Sequence, residues 1–431
     1  MTKHRFPFVS IIVLNYNSKK WLRNCLESLV KLKYPRNRYE VIIADNASTD
    51  GSIESAKENF RWVKVVQFNK NFGFAEGNNR AVRYAKGEYV AFLNPDTEVD
   101  GNWLAELVKG MEKHPELASC GGKVLYLKER DIIQNAGHKM TLIGIPYPIG
   151  YCERDKGQYE RARYTLATSG CAMLVRKDIF EKIGGFDKDY FLYVEEGDLG
   201  LRLWIHGYKV MYMPKAKAYH ELGAWAKGKI TPEHVFFYQK NIIATIIKNF
   251  ELMNSLKGVC LLLIYDLVKL MYFVWNKELS CVREILRGLK CAVEEIPKNL
   301  LKRREIQKNR RISDKELLVL GLIMPINESL NEFVKMYFKN YEMRNLLTRF
   351  PLFLFIMLPL YHIGWFLHRL ISHSSEFYRE QGLQYFFSIE KAVIGFLLKL
   401  RTFMEKRYFI QQLRKVSDRE IFSSTRFKGI I

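Results

Sequence analysis

Carboxylates and amides gather at a few places in this chain, each directly behind a short apolar run. Leu93-Asn94-Pro95-Asp96-Thr97 is the sharpest of them. A carboxylate at a strand end can hold a hard divalent cation, Mg2+ or Mn2+, that keeps some of its waters and takes further oxygens from phosphates. The same residue could instead form a turn or cap a helix. Asp45-Asn46-Ala47-Ser48-Thr49-Asp50-Gly51 repeats the arrangement: Asp45 could accept hydrogen bonds from a nucleobase or ribose, while Ser48, Thr49 and Asp50 suit caps and turns. Asn15 and Asn17 follow the first apolar run, and Asn69–Asn79 sets Gly73 and Gly77 among Asn71, Asn78 and Asn79, which suits close approach of backbone to a ligand at a helix start. In Glu195-Glu196-Gly197-Asp198 three carboxylates lie within four residues. Their repulsion can raise one pKa and make a general base; the alternative is favourable pairing of acids with a helix N-terminus. His220 could be a nitrogen ligand or an ordinary surface histidine.

The elements that must position these residues can be read from periodicity. Residues 8–14 and 40–45 are short β-branched runs separated by an amphipathic stretch, 19–32, with apolar residues at helical spacing. Helices at 52–60 and 75–85 and strands at 63–68 and 89–93 continue the alternation, which predicts an α/β fold with a parallel sheet and right-handed crossovers. Ligands of such sheets lie beyond the carboxyl ends of the strands, where Asn15, Asn17, Asp45, Asn46, Asn94 and Asp96 fall. Residues 101–235 read as less regular, with a helix after Trp103, loops near 140–165, a helix at 176–183 and an acidic helix start at 195–204. Strand signals fade after about residue 236, so the expected domains are 1–235 and 236–431.

Composition bounds the partners. Of 431 residues, 26% are charged and 48% hydrophobic, too much charge for a polytopic membrane protein. Lys and Arg exceed Asp and Glu by 36 to 28 in residues 1–235 and by 32 to 18 in residues 236–431, so the second half carries +14 of the formal +22. That excess suits phosphates, and because the basic residues lie among apolar helical stretches without an RNA-recognition or zinc-finger pattern, it points to an anionic membrane surface and not to nucleic acid. Leu252–Trp275, broken by Lys257, Asp266 and Lys269, reads as an interfacial helix; Phe350–Phe366 fits a short span, a re-entrant helix or a surface helix. Lys302-Arg303-Arg304 and Arg310-Arg311 read as anionic-lipid contacts. Residues 302–317 align without gaps on 406–421 with eight identities in sixteen, which indicates an internal duplication of about 237–317 and 341–421. Seven scattered cysteines with no CxxC pair argue for a reducing compartment, and Phe8–Leu14 is too short for a signal segment, so the expected location is the cytoplasmic face of the cell membrane.

Seven ordered segments, Val9–Asn17, Asp45–Ser52, Asn71–Asn79, Leu93–Thr97, Thr168–Ala172, Gly184–Asp187 and Tyr193–Trp204, resemble the family 2 glycosyltransferases, particularly their rhamnosyltransferase-like branch. The resemblance covers about residues 6–250. It implies a GT-A (Rossmann-like) domain and inverting transfer from a nucleotide-sugar, dTDP-rhamnose or a UDP-sugar. The charge and apolar stretches of the second half add a mostly helical, membrane-associating region, and an enzyme held on a membrane points to a lipid-linked or oligosaccharide acceptor in cell-surface polysaccharide synthesis. On this likeness Asn15, Asn17 and Asp45 bind the nucleoside, with Asn71, Gly73, Asn78 and Asn94 lining the donor site. Asp96 is the metal-binding carboxylate, His220 assists it, and Glu196 is the catalytic base with Asp198 as the substitute. Two departures stand out: Asn94 replaces the first acid of the DxD-type motif, and Glu196 stands where the family usually has Asp. The second leaves open a catalytically weak nucleotide-sugar-binding scaffold.

Overall fold

The computed structural model describes residues 6–221, 231–325 and 328–329. Strands β1 (Val9–Asn15), β2 (Tyr39–Asp45), β3 (Lys64–Gln67) and β4 (Tyr89–Leu93) pair in parallel in the order β3-β2-β1-β4. The crossovers are α1 (Lys19–Val30), α2 (Ser52–Asn59) and α3 (Gly73–Val82). Helix α1 shows why the pattern was readable: Leu22, Cys25, Leu26 and Leu29 recur at helical spacing, and these are apolar residues it buries. They join Val9, Ile11 and Val13 of β1 in one core, and β4 is buried along its whole length, as in sheets covered on both faces.

Beyond residue 96 the sheet goes on, where less regular structure was expected. After β5 (Thr97–Val99) and α4 (Trp103–Lys113) come the long strand β6 (Leu117–Tyr126), then β7 (Ile132–Asn135), β8 (His138–Met140), β9 (Pro146–Pro148), β10 (Glu153–Arg154) and β11 (Arg163–Tyr164). Strand β12 (Ala172–Arg176) enters antiparallel between β4 and β6. After α5 (Lys177–Lys182) and α6 (Glu195–Ile205), β13 (Lys209–His220) runs parallel to β6 and antiparallel to β5. Its register slips between Met213 and Lys217, where a β-carbon on Gly122 would fall 1.6 Å from the carbonyl oxygen of Ala216. Only glycine admits that approach.

Structure becomes all-helical at α7 (Pro232–Asn249), close to the expected boundary at 235, yet the compact unit runs on to Asn331. Helices α8 (Leu252–Trp275), α9 (Leu279–Glu294), α10 (Ile296–Lys308) and α11 (Asp314–Val319) therefore belong to the same compact body as the sheet. The basic clusters need correcting. Lys302 binds Asp187 and Asp189 at 2.5 Å, Arg303 donates to the carbonyls of Ile247 and Phe250, and Arg310 pairs with Asp314. Of the five residues read as lipid contacts, only Arg304 and Arg311 are exposed. Among the described residues no helix is long and apolar enough to cross a membrane. Phe350–Phe366 and the second repeat, 341–421, lie outside the described residues.

The join between α7 and the sheet domain is ionic. Lys248, 1% exposed, contacts Asp187 and lies 2.9 Å from Asp198, which also takes Arg202 at 2.8 Å and the Asn249 amide at 2.8 Å. Burial alone would raise both carboxyl pKa values, but Lys248, with Lys302 at Asp187 and Arg202 at Asp198, holds them below the usual carboxylate range. Depressed carboxyl groups stabilise the fold above their unfolded pKa of about 4 and lose that contribution as pH falls through the lower folded values. Lys248→Met leaves two buried carboxylates short of a partner and should cost about 3–5 kcal/mol at neutral pH. Urea unfolding of both proteins across pH will check this: the gap should be widest above about pH 5 and narrow in acid.

Candidate active site

The carboxyl ends of β1 and β2 lie side by side, Asn15 in register with Asp45. The Asn15 amide donates to Asp45 Oδ1 (3.1 Å), Ser48 Oγ (2.9 Å) and Ser52 Oγ (2.9 Å), binding the two loops together. Asp45 also accepts the Ser48 hydroxyl at 2.5 Å, and Asn17, at φ 49°, accepts the Thr49 N–H through Oδ1 at 2.8 Å. Ser48, Thr49 and Asp50 thus serve as turn and cap formers. Asn15 Oδ1 is buried without a partner among the described residues, a polar atom that a ligand or water would satisfy. Between the two asparagines Tyr16 is 48% exposed, an aromatic face at the mouth of the cleft that the sequence reading passed over.

The glycine-rich segment has a structural use. Gly73, at φ 73°, has no room for a side chain because the Phe191 carbonyl oxygen lies 2.2 Å from where a β-carbon would sit. Gly77 is pressed against Leu14 in the same way. Asn71 Oδ1 accepts the Gly73 N–H at 2.8 Å, and the buried Asn78 donates to the Phe74 carbonyl within α3 at 3.0 Å. These residues set the start of α3, and the packing against Phe191 and Leu14 accounts for the glycines.

At the end of β4 the picture is different. Pairing of β5 with β13 puts His220 opposite Thr97, and the Asp96 carbonyl accepts the N–H of Glu221. His220 Nε2 consequently lies 3.2 Å from Asp96 Oδ1 and 3.5 Å from the Asn94 amide nitrogen. Its other ring nitrogen is 2.7 Å from Gln134 Oε1, a partner on β7 with no signal in the sequence. Burial disfavours the imidazolium, but Cys171 and Asp96 outweigh it and hold the His220 pKa well above the usual histidine value. At Asp96 burial pulls upward, and the charge and hydrogen bond of His220 bring its pKa below the ordinary value. His220 is buried, not a surface histidine.

Glu196 lies across the same loop. The Asn94 N–H donates to the Cys171 carbonyl at 2.9 Å, and at the neighbouring Gly170 an added β-carbon would meet Phe74 at 3.3 Å and the Glu196 β-carbon at 3.8 Å. The loop Thr168–Cys171 therefore borders both Glu196 and the Asp96–His220 pair. Half-buried Glu196 has its pKa raised by burial, and Glu195, more deeply buried, is pushed well above the usual value by burial and then by the Glu196 charge. Asp198, expected as a substitute base, is fully buried between Arg202, Lys248 and Asn249. Its carboxylate is spent inside the fold.

Residues 10–184 match the model of glycosyl transferase family 2. Over 238 residues, 53% of this chain and 18% of the relative, the sequence is 31% identical to the O-antigen biosynthesis protein RfbC of Myxococcus xanthus. It is 27% identical over 226 residues, 47% of this chain and 72% of the relative, to the N-acetylglucosaminyl-diphospho-decaprenol L-rhamnosyltransferase of Mycobacterium tuberculosis. With poly-beta-1,6-N-acetyl-D-glucosamine synthase of Staphylococcus epidermidis it shares 26% over 211 residues, 48% of each chain. The chain thus spans less than two thirds of the length of the Myxococcus relative. The match to glycosyl transferase family 2 takes in the strand ends that carry Asn15, Asp45 and Asp96, and the acidic helix follows after it.

Proposed function

We propose that the chain is an inverting glycosyltransferase that moves a sugar from a nucleotide-sugar, dTDP-rhamnose or a UDP-sugar, to a hydroxyl of a lipid-linked glycan in cell-surface polysaccharide synthesis. The observation that carries this reading is a half-buried carboxyl with a raised pKa, Glu196, facing one loop together with a buried carboxylate–imidazole pair, Asp96 and His220. Asn15, Asp45 and Tyr16 offer a nucleoside hydrogen-bond partners and an aromatic face at the ends of β1 and β2. Glu196 takes the proton of the acceptor hydroxyl, whose oxygen attacks the anomeric carbon from the side opposite the leaving group. The bond from that carbon to the phosphate oxygen breaks, and the nucleoside diphosphate leaves with its electron pair. A carboxyl pKa lifted toward neutrality suits this task, because a base works best with a pKa near the working pH.

A divalent cation fits the Asp96–His220 pair. Carboxylate oxygen and imidazole nitrogen converge there, and Gln134 on the far ring nitrogen is the partner that orients a ligating histidine. Among the described residues no group of three or more His, Cys, Asp or Glu side chains could hold a metal by itself, so the other ligands would be phosphate oxygens and water, as Mg2+ or Mn2+ accepts. Such an ion supplies positive charge to the diphosphate as it leaves.

The acceptor's membrane is met through α8. This helix of 24 residues turns Leu256, Cys260, Leu263, Leu267, Met271 and Val274 outward at steps of three and four. Its Asp266 and Lys269 pair inward with Gln239 of α7. An apolar outer face roughly 27 Å long, together with exposed Arg283, Arg287 and Lys290 on α9, suits an in-plane seat on an anionic bilayer at the cytoplasmic face.

Glu196→Gln should bind donor as the wild type does and lose about a hundredfold to ten-thousandfold in kcat; unchanged turnover removes Glu196 from the reaction, whereas a wild type that binds donor without turnover favours the scaffold reading. In thermal-shift titrations with dTDP-rhamnose and UDP-N-acetylglucosamine, Mn2+ should add to the stabilisation of the wild type, and Asp96→Asn should abolish that addition. Full-length protein should float with phosphatidylglycerol–phosphatidylcholine vesicles, and Leu263→Asp/Leu267→Asp, at two exposed positions, should stay at the bottom of the gradient. Equal flotation of the variant would rule out α8 as the seat.

A further inference from the structure

The turn that delivers Glu196 is held in an unfavourable shape. Tyr193 and Val194, the two residues before α6, both have φ of 72°, a left-handed conformation that β-branched and aromatic residues rarely adopt. Such geometry persists only where the surroundings over-determine it, and it clusters at working sites. Here the surroundings are a single stripe of α7. His234 sets its ring edge-on to Tyr193 with centroids 4.4 Å apart, and Phe237 stacks on Phe191 at 5.1 Å. One turn on, Asn241 donates to the carbonyls of Leu192 (2.9 Å) and Tyr193 (2.8 Å). Thr245 meets the Tyr190 hydroxyl at 2.7 Å, and Lys248 reaches Asp198 inside α6. Positions 234, 237, 241, 245 and 248 follow one another at three or four residues, which is one face of a helix.

Asn241 is the centre of this arrangement. It is fully buried, its Oδ1 has no partner among the described residues, and both hydrogen bonds of its side chain are given by the NH2 group to consecutive carbonyls of the left-handed turn. A buried amide with an unsatisfied oxygen is costly, so the side chain is not there merely to fill space. The other side of the turn is closed by the start of α3, where the Phe74 N–H donates to Phe191 at 2.7 Å.

We propose that Asn241 is a positioning residue for Glu196: by fixing the Leu192–Tyr193 carbonyls it sets the first turn of α6, so that a helix outside the family-matched segment determines where the carboxylate stands. This rests on Glu196 being the base. Hydrolysis of dTDP-rhamnose or UDP-N-acetylglucosamine in Mn2+, with whichever donor stabilises the wild type, tests it. Asn241→Ala should lower kcat about tenfold to a hundredfold, the scale of a displacement of about 1 Å, while KM and the donor-induced thermal shift stay at wild-type values. Phe237→Leu, at a half-buried position, should show the same split to a smaller degree and decides the matter if Asn241→Ala does not fold. Wild-type kcat in the folded variant, or KM rising in step with the loss, overturns the proposal. Glu196→Gln measured alongside separates the two failures: if it retains turnover the base assignment falls, whereas its loss combined with full kcat in the α7 variants sinks the positioning role alone.

Discussion

A single ammonium group, that of Lys248, ties the helical second half of the body to the acidic helix. It lies between Asp187, on the loop after α5, and Asp198, one half-turn beyond Glu196. Two carboxylates and a lysine with almost no access to water are expensive to bury separately, and each is tolerable only because the others are present. The arrangement makes α7 inseparable from α6. It also explains why the compact unit does not end where the strands do, since cutting the chain near residue 235 would leave Asp187, Asp198 and the carbonyls of Leu192 and Tyr193 facing solvent or nothing.

Three neighbouring acids on one helix meet different fates for reasons of place. Asp198 points back into the body, where Arg202, Lys248 and Asn249 saturate it and depress its pKa. Glu195 is buried with one oxygen unpaired, so burial and the nearby Glu196 charge drive it toward the neutral form. Glu196 lies at the edge of the cleft beside Gly170 and Phe74, buried enough to lose some acidity and open enough to meet a substrate. Sequence spacing could state that repulsion among the three would raise a pKa; which group it raised depends on the direction each side chain leaves the helix, and that direction is set by α7.

What could be read from the sequence follows from how local the cause was. The first four strands and three helices were legible because parallel strands buried on both faces are unbroken apolar runs and their helices carry a regular buried stripe. The two longest strands, β6 and β13, were not, since Gly121-Gly122 and Pro214 look like turn residues while serving a bulge at which the two strands approach closely. Asn15, Asp45 and Asp96 could be singled out because they follow apolar runs that end as strands, and the structure does place them at or just past the ends of β1, β2 and β4. The glycines at 73 and 77 were ambiguous, as close approach of backbone to protein and to ligand leave the same mark, and the structure supplies the protein contacts, Phe191 and Leu14. Gln134, Lys248 and Asn241 carried no local pattern at all; their meaning comes from partners 86 residues away for Gln134, 50 and 61 for Lys248, and 48 and 49 for Asn241. Basic residues at 302, 303 and 310 looked like a charged surface, but composition does not reveal that Lys302 finds its acceptors in the sheet domain, at Asp187 and Asp189, and that Arg303 and Arg310 find theirs at the end of α7 and the start of α11.

The same principle bears on α8, whose polarity is reversed relative to an ordinary surface helix. Asp266 and Lys269 face inward, where burial raises the carboxyl pKa and lowers the amine pKa, each toward neutrality. Their ion pair and the Gln239 side chain between them satisfy one another, so the inner face can be polar without water. The outer face is then free to be wholly apolar along its length. A helix in contact with water has the opposite incentive, because exposed leucines gain nothing there and charges would be solvated. Keeping the charges inside at the cost of a polar network makes physical sense where the surroundings outside are less polar than the protein itself, which is the condition at a lipid headgroup boundary and the basis of the proposed seat on the membrane that holds the acceptor.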